Sequence, residues 1–204
     1  MSILFPIHET FQQTLQGEGF WAGTPVDFIR LSGCPVSCHF CDTGYADGGK
    51  DTPRTMRSLD ELIAELKSPF VVISGGEPFI HSNLPELVKA LEFNGKRVAI
   101  ETSGAFWQEL PESVWVTVSP KEHISPKYPV DERWWRRANE IKLVISSGQE
   151  VWFYRPKLAK TTCSIFLQPE WGDREKTLPL VMDLLQRYTN CRLSLQLHKF
   201  LGIQ

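Results

Sequence analysis

No run of apolar residues in this sequence reaches the ~18–20 that a membrane-crossing helix needs. The start, Met1-Ser2-Ile3-Leu4-Phe5-Pro6, has neither the basic region nor the cleavage site of a secretory signal. A cytoplasmic protein that touches no membrane is therefore expected. Charge of one sign is also missing. Lys and Arg number 22 against 24 Asp and Glu, a net of −2. That leaves no electrostatic case for binding nucleic acid. There is no internal repeat, low-complexity segment or charge block. With 204 residues, 42% of them hydrophobic and 23% charged, the chain has the composition of a globular protein with one sizeable core. A single domain over residues 1–204 is the expectation.

Cysteine is scarce too, with five in all. A disulfide framework is excluded in favour of a reducing compartment. What stands out is how they are placed. Cys34, Cys38 and Cys41 fall in one loop at the spacing C-x3-C-x2-C. So short a loop can turn three thiolates towards one point, and an odd number cannot all pair as disulfides. A metal ion or an iron–sulfur cluster is left. An ordinary cluster takes four cysteines, but Cys163 and Cys191 stand alone and read as buried small hydrophobes. A four-iron cluster on this loop would keep one iron open to a substrate or cofactor. The alternative is a zinc knuckle completed by His39; His39 directly follows Cys38, so both side chains would have to fold back onto one ion. His8, His81 and His123 are isolated and read as loop or surface residues. Trp134-Trp135-Arg136-Arg137 has no basic surplus around it and reads as packing or a subunit contact.

Strand-like and helix-like runs alternate along the chain. Strands are predicted at 26–31, 70–73, 97–101, 114–118, 140–145, 163–167 and 192–196. Ser58-Leu59-Asp60-Glu61 is a capping box opening a helix that carries Leu62, Ile63 and Leu66. Further helices are predicted over 84–94, ended by Gly95, and over about 177–188. Such alternation implies parallel β/α units. A full eight-stranded barrel needs ~250 residues, so 204 and the helices missing between some strands point to an incomplete one. Polar clusters follow the strand ends: the cysteine loop, Ser74-Gly75-Gly76-Glu77-Pro78, Glu101-Thr102-Ser103-Gly104, Ser119-Pro120-Lys121, Gln168-Pro169-Glu170 and His198-Lys199. In parallel β/α folds that C-terminal edge is where sites assemble. Near the start, Phe11 to Gly19 is polar and glycine-rich with no periodic apolar face. It is either a surface hairpin or a set of groups (Gln16, Gly17, Glu18) suited to a flat heterocycle with donors and acceptors.

The C-x3-C-x2-C loop, with Gly75-Gly76-Glu77-Pro78 one β/α unit later, resembles the signature of the radical S-adenosylmethionine enzymes. A closer resemblance runs from about residue 7 to the last. Gln16-Gly17-Glu18-Gly19, 28–35, Cys41-Asp42-Thr43, Glu101-Thr102-Ser103-Gly104, Ser119-Pro120-Lys121 and 197–203 are similar to the 7-carboxy-7-deazaguanine synthase family. This implies an α/β fold, a partial β/α barrel with its site at the C-terminal edge of the parallel strands. It implies a [4Fe-4S] cluster, S-adenosylmethionine and Mg2+. It implies a lyase turning 6-carboxytetrahydropterin into 7-carboxy-7-deazaguanine, with loss of ammonia, for queuosine and other 7-deazapurines. Hydrogen abstraction at C6 of the pterin would start the reaction, followed by ring contraction, and the radical would be quenched by recovering hydrogen from deoxyadenosine, so that S-adenosylmethionine is used catalytically. A flavodoxin- or ferredoxin-like electron donor and a homodimer are implied as well.

Carried onto this sequence, the resemblance gives the cluster to Cys34, Cys38 and Cys41 and Mg2+ to Thr43. Phe40, Asp42, Gly76, Glu77, Ser119, Pro120, Lys121 and Gln168 would bind the cofactor, Glu77 receiving its ammonium. Leu15, Gln16, Gly17, Glu18, Arg30, Ser74, His198 and the C-terminal Gln204 would hold the pterin, with Arg30 a natural fork for its carboxylate. Ser74 stands where the family often has threonine, and Phe40 where related sequences often have tryptophan.

Overall fold

A computed structural model describes residues 3–45 and 53–204; Met1 and Ser2, read above as part of an uncleaved start, lie outside it. Among the described residues the core of the fold is one nine-stranded sheet. In chain order the strands are β1 (Leu4–Leu15), β2 (Pro25–Leu31), β3 (Thr55–Ser58), β4 (Phe70–Gly75), β5 (Arg97–Thr102), β6 (Trp115–Val118), β7 (Glu140–Ile145), β8 (Ser164–Pro169) and β9 (Cys191–Leu193). The spatial order is β3-β1-β2-β4-β5-β6-β7-β8-β9. From β2 to β9 every pairing is parallel, while β1 runs antiparallel to both β2 and β3. The ends do not meet, so the barrel is incomplete, as its length required. The helices are α1 (Leu59–Glu65), α2 (Leu84–Phe93), α3 (Trp134–Arg137), α4 (Gln149–Leu158), α5 (Arg174–Arg187) and α6 (Leu197–Leu201).

Successive side chains on a strand point to opposite faces, and the two faces differ. One face carries Ile29 and Leu31 of β2, Val71 and Ile73 of β4, Val98 and Ile100 of β5, Val116 and Val118 of β6, Ile141, Leu143 and Ile145 of β7, and Ile165 and Leu167 of β8. The helices cover it. α2 contributes Leu84, Leu87, Val88 and Leu91, all fully buried, at the spacing that puts them on one helical stripe. Each such side chain contributes about 1.5–3 kcal/mol by leaving water. Trp134 and Trp135 also pack here, so the Trp-Trp-Arg-Arg run is packing.

The concave face changes character along the strands. At the N-terminal end it is apolar: Phe11, Val26, Phe28, Phe70, Val72 and Ala99, with Trp21 and Trp115 against them. A 3-10 turn, Gly19–Trp21, wedges beneath. Phe20 and Trp21 meet Trp115 with ring centroids 4.9 and 5.3 Å apart, and the Arg97 guanidinium covers Trp21 at 3.8 Å. Further along the same face, strand by strand, come Arg30, Ser74, Glu101, Ser119, Lys142 and Gln168, and all of them line a cavity.

Asp27, fully buried, fixes the start of this assembly. Its carboxylate accepts from Gln13 N at 2.8 Å, Lys67 N at 2.6 Å, Ser68 N at 2.7 Å and Ser68 Oγ at 2.7 Å. Burial raises its pKa, but these four bonds outweigh burial and hold it below the usual carboxylate value.

Three expectations change. Phe11 to Leu15 belongs to β1, bulged between Phe11 and Thr14 and paired antiparallel with β2 as a hairpin, but the end of that hairpin lines a cavity through Leu15, Gln16 and Glu18 instead of lying on the outer surface. The predicted last strand shrinks to Cys191–Leu193, because Ser194 and Gln196 turn inward to bond Gln168 and Glu18. Cys163 and Cys191 are half-buried at the margin of the helix-covered core, since the ends of β8 and β9 are not fully covered.

Candidate active site

The six polar loops do meet. They ring a cavity of about 550 Å³, within the ~300–1,000 Å³ usual for small-molecule sites. Of the residues predicted for the site, Leu15, Gln16, Glu18, Arg30, Cys34, Cys38, Phe40, Cys41, Asp42, Thr43, Ser74, Gly76, Glu77, Ser119, Lys121, Gln168, His198 and Gln204 all line it.

Two do not. Gly17 is buried under α6: its carbonyl accepts from Leu197 N at 2.9 Å, and a Cβ there would lie 2.0 Å from His198 Nδ1. It is a glycine because His198 lies against it, not to admit a ligand. Pro120 is buried behind Ser119.

The cysteine loop is held from several sides. Tyr45, 1% exposed, accepts from Gly33 N at 3.1 Å through its hydroxyl, and its own N–H reaches Cys41 Sγ at 3.4 Å. Ser125 Oγ donates to Val36 O at 2.9 Å. The fourth contact explains the double glycine. A Cβ on Gly76 would lie 2.0 Å from Gly33 O and 3.1 Å from Cys34 Cβ, and Glu77 N donates to Gly33 O at 2.9 Å. Gly76 thus admits the protein's own cysteine loop, while Gly75, at φ +118°, admits the β2 backbone, where a Cβ would lie 2.2 Å from Leu31 O.

Glu77 departs from its expected use. It is 1% exposed, and its carboxylate accepts from Thr102 Oγ1 at 2.7 Å, Phe79 N at 3.1 Å, Ser103 N at 2.8 Å and Ser103 Oγ at 2.5 Å. A carboxylate has about four lone-pair sites, so little is left for a ligand ammonium. The side chain ties the end of β4 to the end of β5. Next to it, Lys121 Nζ donates to Ser119 O at 2.7 Å and to Ser119 Oγ at 2.5 Å. Burial pushes the Lys121 ammonium down from the ordinary lysine value. Ser194 Oγ donates to Gln168 Oε1 at 2.7 Å, which orients the amide.

The floor is ionic. Lys142, 3% exposed, pairs with Glu18 and reaches Glu101 at 3.5 Å. Gln16 Nε2 donates to Glu101 Oε1 at 2.9 Å, and Gln196 Nε2 to Glu18 Oε1 at 2.7 Å. The chain of contacts continues to the rim, where Lys199 Nζ donates to Asp42 Oδ2 at 2.6 Å. On Glu18, burial opposes the charge and Lys142 more than offsets it, so the carboxyl stays below its usual value. On Lys142, burial is outweighed by Glu101, Glu18 and Glu140, so the ammonium stays above its usual value. Arg30 stands at the wall, 3.1 Å from Glu9 and over the Phe11 ring. Thr43 Oγ1 lies 3.5 Å from Asp42 Oδ1, and Thr14 Oγ1 donates to Gln204 O.

The Radical SAM superfamily model matches residues 28–118, from β2 to the end of β6. Over its whole length the chain is 37% identical to the 7-carboxy-7-deazaguanine synthase of Synechocystis, covering 96% of that protein. It is 37% identical to the one from Escherichia coli K12, with 98% of this chain and 99% of the relative aligned. This chain belongs to the 7-carboxy-7-deazaguanine synthase family. The crystal structure of QueE from Escherichia coli superposes with a TM-score of 0.80 at 35% identity, covering 96% of this chain and 95% of that one. Streptococcus suis SuiB bound to S-adenosylmethionine superposes at 0.52 with 12% identity, over 79% of this chain and 48% of SuiB; it shows a shared fold alone.

Membership of this family raises the question of whether the cysteine loop fits an iron–sulfur cluster. It does. Three soft thiols face the cavity. Burial pushes Cys34 up to about 11 and raises Cys38 as well, a cost that a bound cation reverses. Among the described residues, no three His, Cys, Asp or Glu side chains gather as ligands of one metal ion, and His39 is exposed. A single zinc needs such a gathering.

Sequence reasoning passed over Lys142 and Gln196. Lys142 had a signal: Glu140 and Lys142 alternate with Ile141, Leu143 and Ile145, placing two charges on one face of an interior strand. Gln196 had none, being in a turn whose position only the fold decides.

Proposed function

We propose that this protein is a 7-carboxy-7-deazaguanine synthase that converts 6-carboxy-5,6,7,8-tetrahydropterin to 7-carboxy-7-deazaguanine with loss of ammonia, as a Mg2+-dependent carbon–nitrogen lyase of 7-deazapurine biosynthesis. One observation carries the reading: full-length similarity to synthases of that name, coupled to a single cavity wall on which the cysteine loop and the Gln16, Glu18 and Arg30 side chains all open. Residues 1–204 act as one domain, in the cytoplasm, as a homodimer reduced by a flavodoxin- or ferredoxin-like donor.

Cys34, Cys38 and Cys41 would hold a [4Fe-4S] cluster, which would supply one-electron chemistry to S-adenosylmethionine bound beside it. Ser119, Lys121, Gln168 and the backbone around Gly76, Phe40 and Asp42 seat the S-adenosylmethionine. Glu77, its carboxylate filled from within, positions the Gly76 backbone in place of receiving the ammonium itself. Thr43 would offer a hard oxygen to Mg2+. Arg30 takes the pterin carboxylate as a two-pronged donor, steadied by Glu9. Phe11 and Phe28 form an apolar wall for the ring. Leu15, Gln16, Glu18, Ser74, His198 and the carboxylate of Gln204 complete the pterin site, with Gly17 allowing His198 to close in.

Reduced enzyme given S-adenosylmethionine, Mg2+ and carboxytetrahydropterin is expected to form the deazapurine. Accumulation of deoxyadenosine alone, with the pterin unchanged, would overturn the assignment.

A further inference from the structure

Glu18 and Glu101 are carboxylates at the cavity floor with acceptor capacity left over. Glu18 receives Lys142 and Gln196; Glu101 receives Gln16 and, at 3.5 Å, Lys142. Glu77 in the same cavity has all of its sites filled from within. Charged acceptors kept partly bare inside a cavity are matched to a ligand edge made of donors. The ammonium between them comes from β7 and pairs with both carboxylates, while the Gln16 amide joins Glu101 Oε1 to the Glu18 N–H. Without it, Glu18, Glu101 and Glu140 would face one another with no cation between them. Lys121, on the loop after β6, is the other cation nearby, and its Nζ is bonded to Ser119.

We propose that Lys142 is a positioning residue that holds Glu18 and Glu101 as a fixed pair of acceptors for the 2-amino and N3–H edge of the pterin. The consequence is specificity at C2: an oxo group there presents an acceptor to two carboxylates and is refused. The inference rests on the substrate class proposed above and extends it to a residue outside the motifs.

The test uses anaerobically prepared holoenzyme and two stable, oxidised ligands, 6-carboxypterin and its 2-oxo counterpart, 6-carboxylumazine, with binding followed by calorimetry. Wild-type protein is expected to prefer the pterin by about tenfold or more, the scale of one mismatched buried polar contact. Lys142→Met is expected to weaken pterin binding about tenfold or more and to bring the two ligands within about threefold, while S-adenosylmethionine affinity and iron content stay at wild-type values. Because Lys142→Met leaves three carboxylates together, the charge-compensated pair Lys142→Met with Glu101→Gln is run beside it, with the same loss of discrimination expected. Unchanged discrimination in either variant overturns the proposal, as does parallel loss of pterin and S-adenosylmethionine binding, which marks a merely structural role. Wild-type protein that binds neither ligand overturns the substrate class and the proposal together.

Discussion

The two faces of the sheet use the same strands for opposite ends. The helix-covered face is apolar along most of its length, with the buried Asp27 at the start of β2 as its charged exception, and its aliphatic and aromatic side chains pack on one another. The concave face is apolar only at its base, then turns over to Arg30, Ser74, Glu101, Ser119, Lys142 and Gln168. The first face contributes folding free energy without specifying chemistry. The second exposes charge inside the protein, where each group needs a partner. Stability and function are therefore separable by face, and substitutions on each should leave different traces.

The largest effect on chemistry is expected from Gly76→Ala, which tests the join between the faces. Its Cβ would strike backbone, Gly33 O at 2.0 Å, so the cysteine loop must shift. Iron bound after reconstitution and product formation should both fall to near background, while circular dichroism keeps its wild-type shape; full iron content would show that the loop tolerates the methyl. On the helix-covered face, Leu87→Ala should cost about 2–5 kcal/mol in denaturant unfolding with KM for the pterin unchanged. A shifted KM would contradict the separation.

Asp27→Asn comes next, at about 1–3 kcal/mol, because an amide cannot satisfy four donors. Its carboxyl lies below the ordinary value in the folded protein, so ionisation favours folding above the unfolded pKa of about 3.9, and that contribution is lost as pH falls through the folded value. Wild-type stability should decline in this acid range more steeply than that of Asp27→Asn; parallel curves would reject the assignment. Smallest is Ser58→Ala, which removes the capping box of α1, where Glu61 N donates to Ser58 Oγ and Ser58 N to Glu61. A loss of about 1 kcal/mol in stability, with activity intact, is expected.

How much of this could be read beforehand follows from whether the signal was local. The capping box at Ser58, the span of β7 and the apolar face of α2 were legible because periodicity and capping are properties of neighbours in sequence. So was the meeting of the six loops, since parallel β/α units place strand ends together. α4 was not legible: in Gln149–Leu158 the buried Val151, Tyr154 and Leu158 share one face, but the exposed Trp152 and Phe153 and the internal Pro156 mask that stripe in the sequence. The glycines misled in one respect. Their need for room was evident, but the neighbour occupying it, His198 for Gly17 and Gly33 for Gly76, is set by the fold. Glu77 lines the cavity, but its own donors Phe79, Thr102 and Ser103 were not foreseen, because they lie outside a four-residue motif.

The Gly19–Trp21 turn has a consequence of its own. Strands that fail to close into a ring leave a trough open below, and here a few residues between β1 and β2 stop it. Because this stopper is an insert and not part of the sheet, its bulk can change while every strand pairing stays as it is. The seal under the apolar base is open to revision at Phe20 and Trp21, while the cavity above keeps its own lining of Phe11 and Phe28.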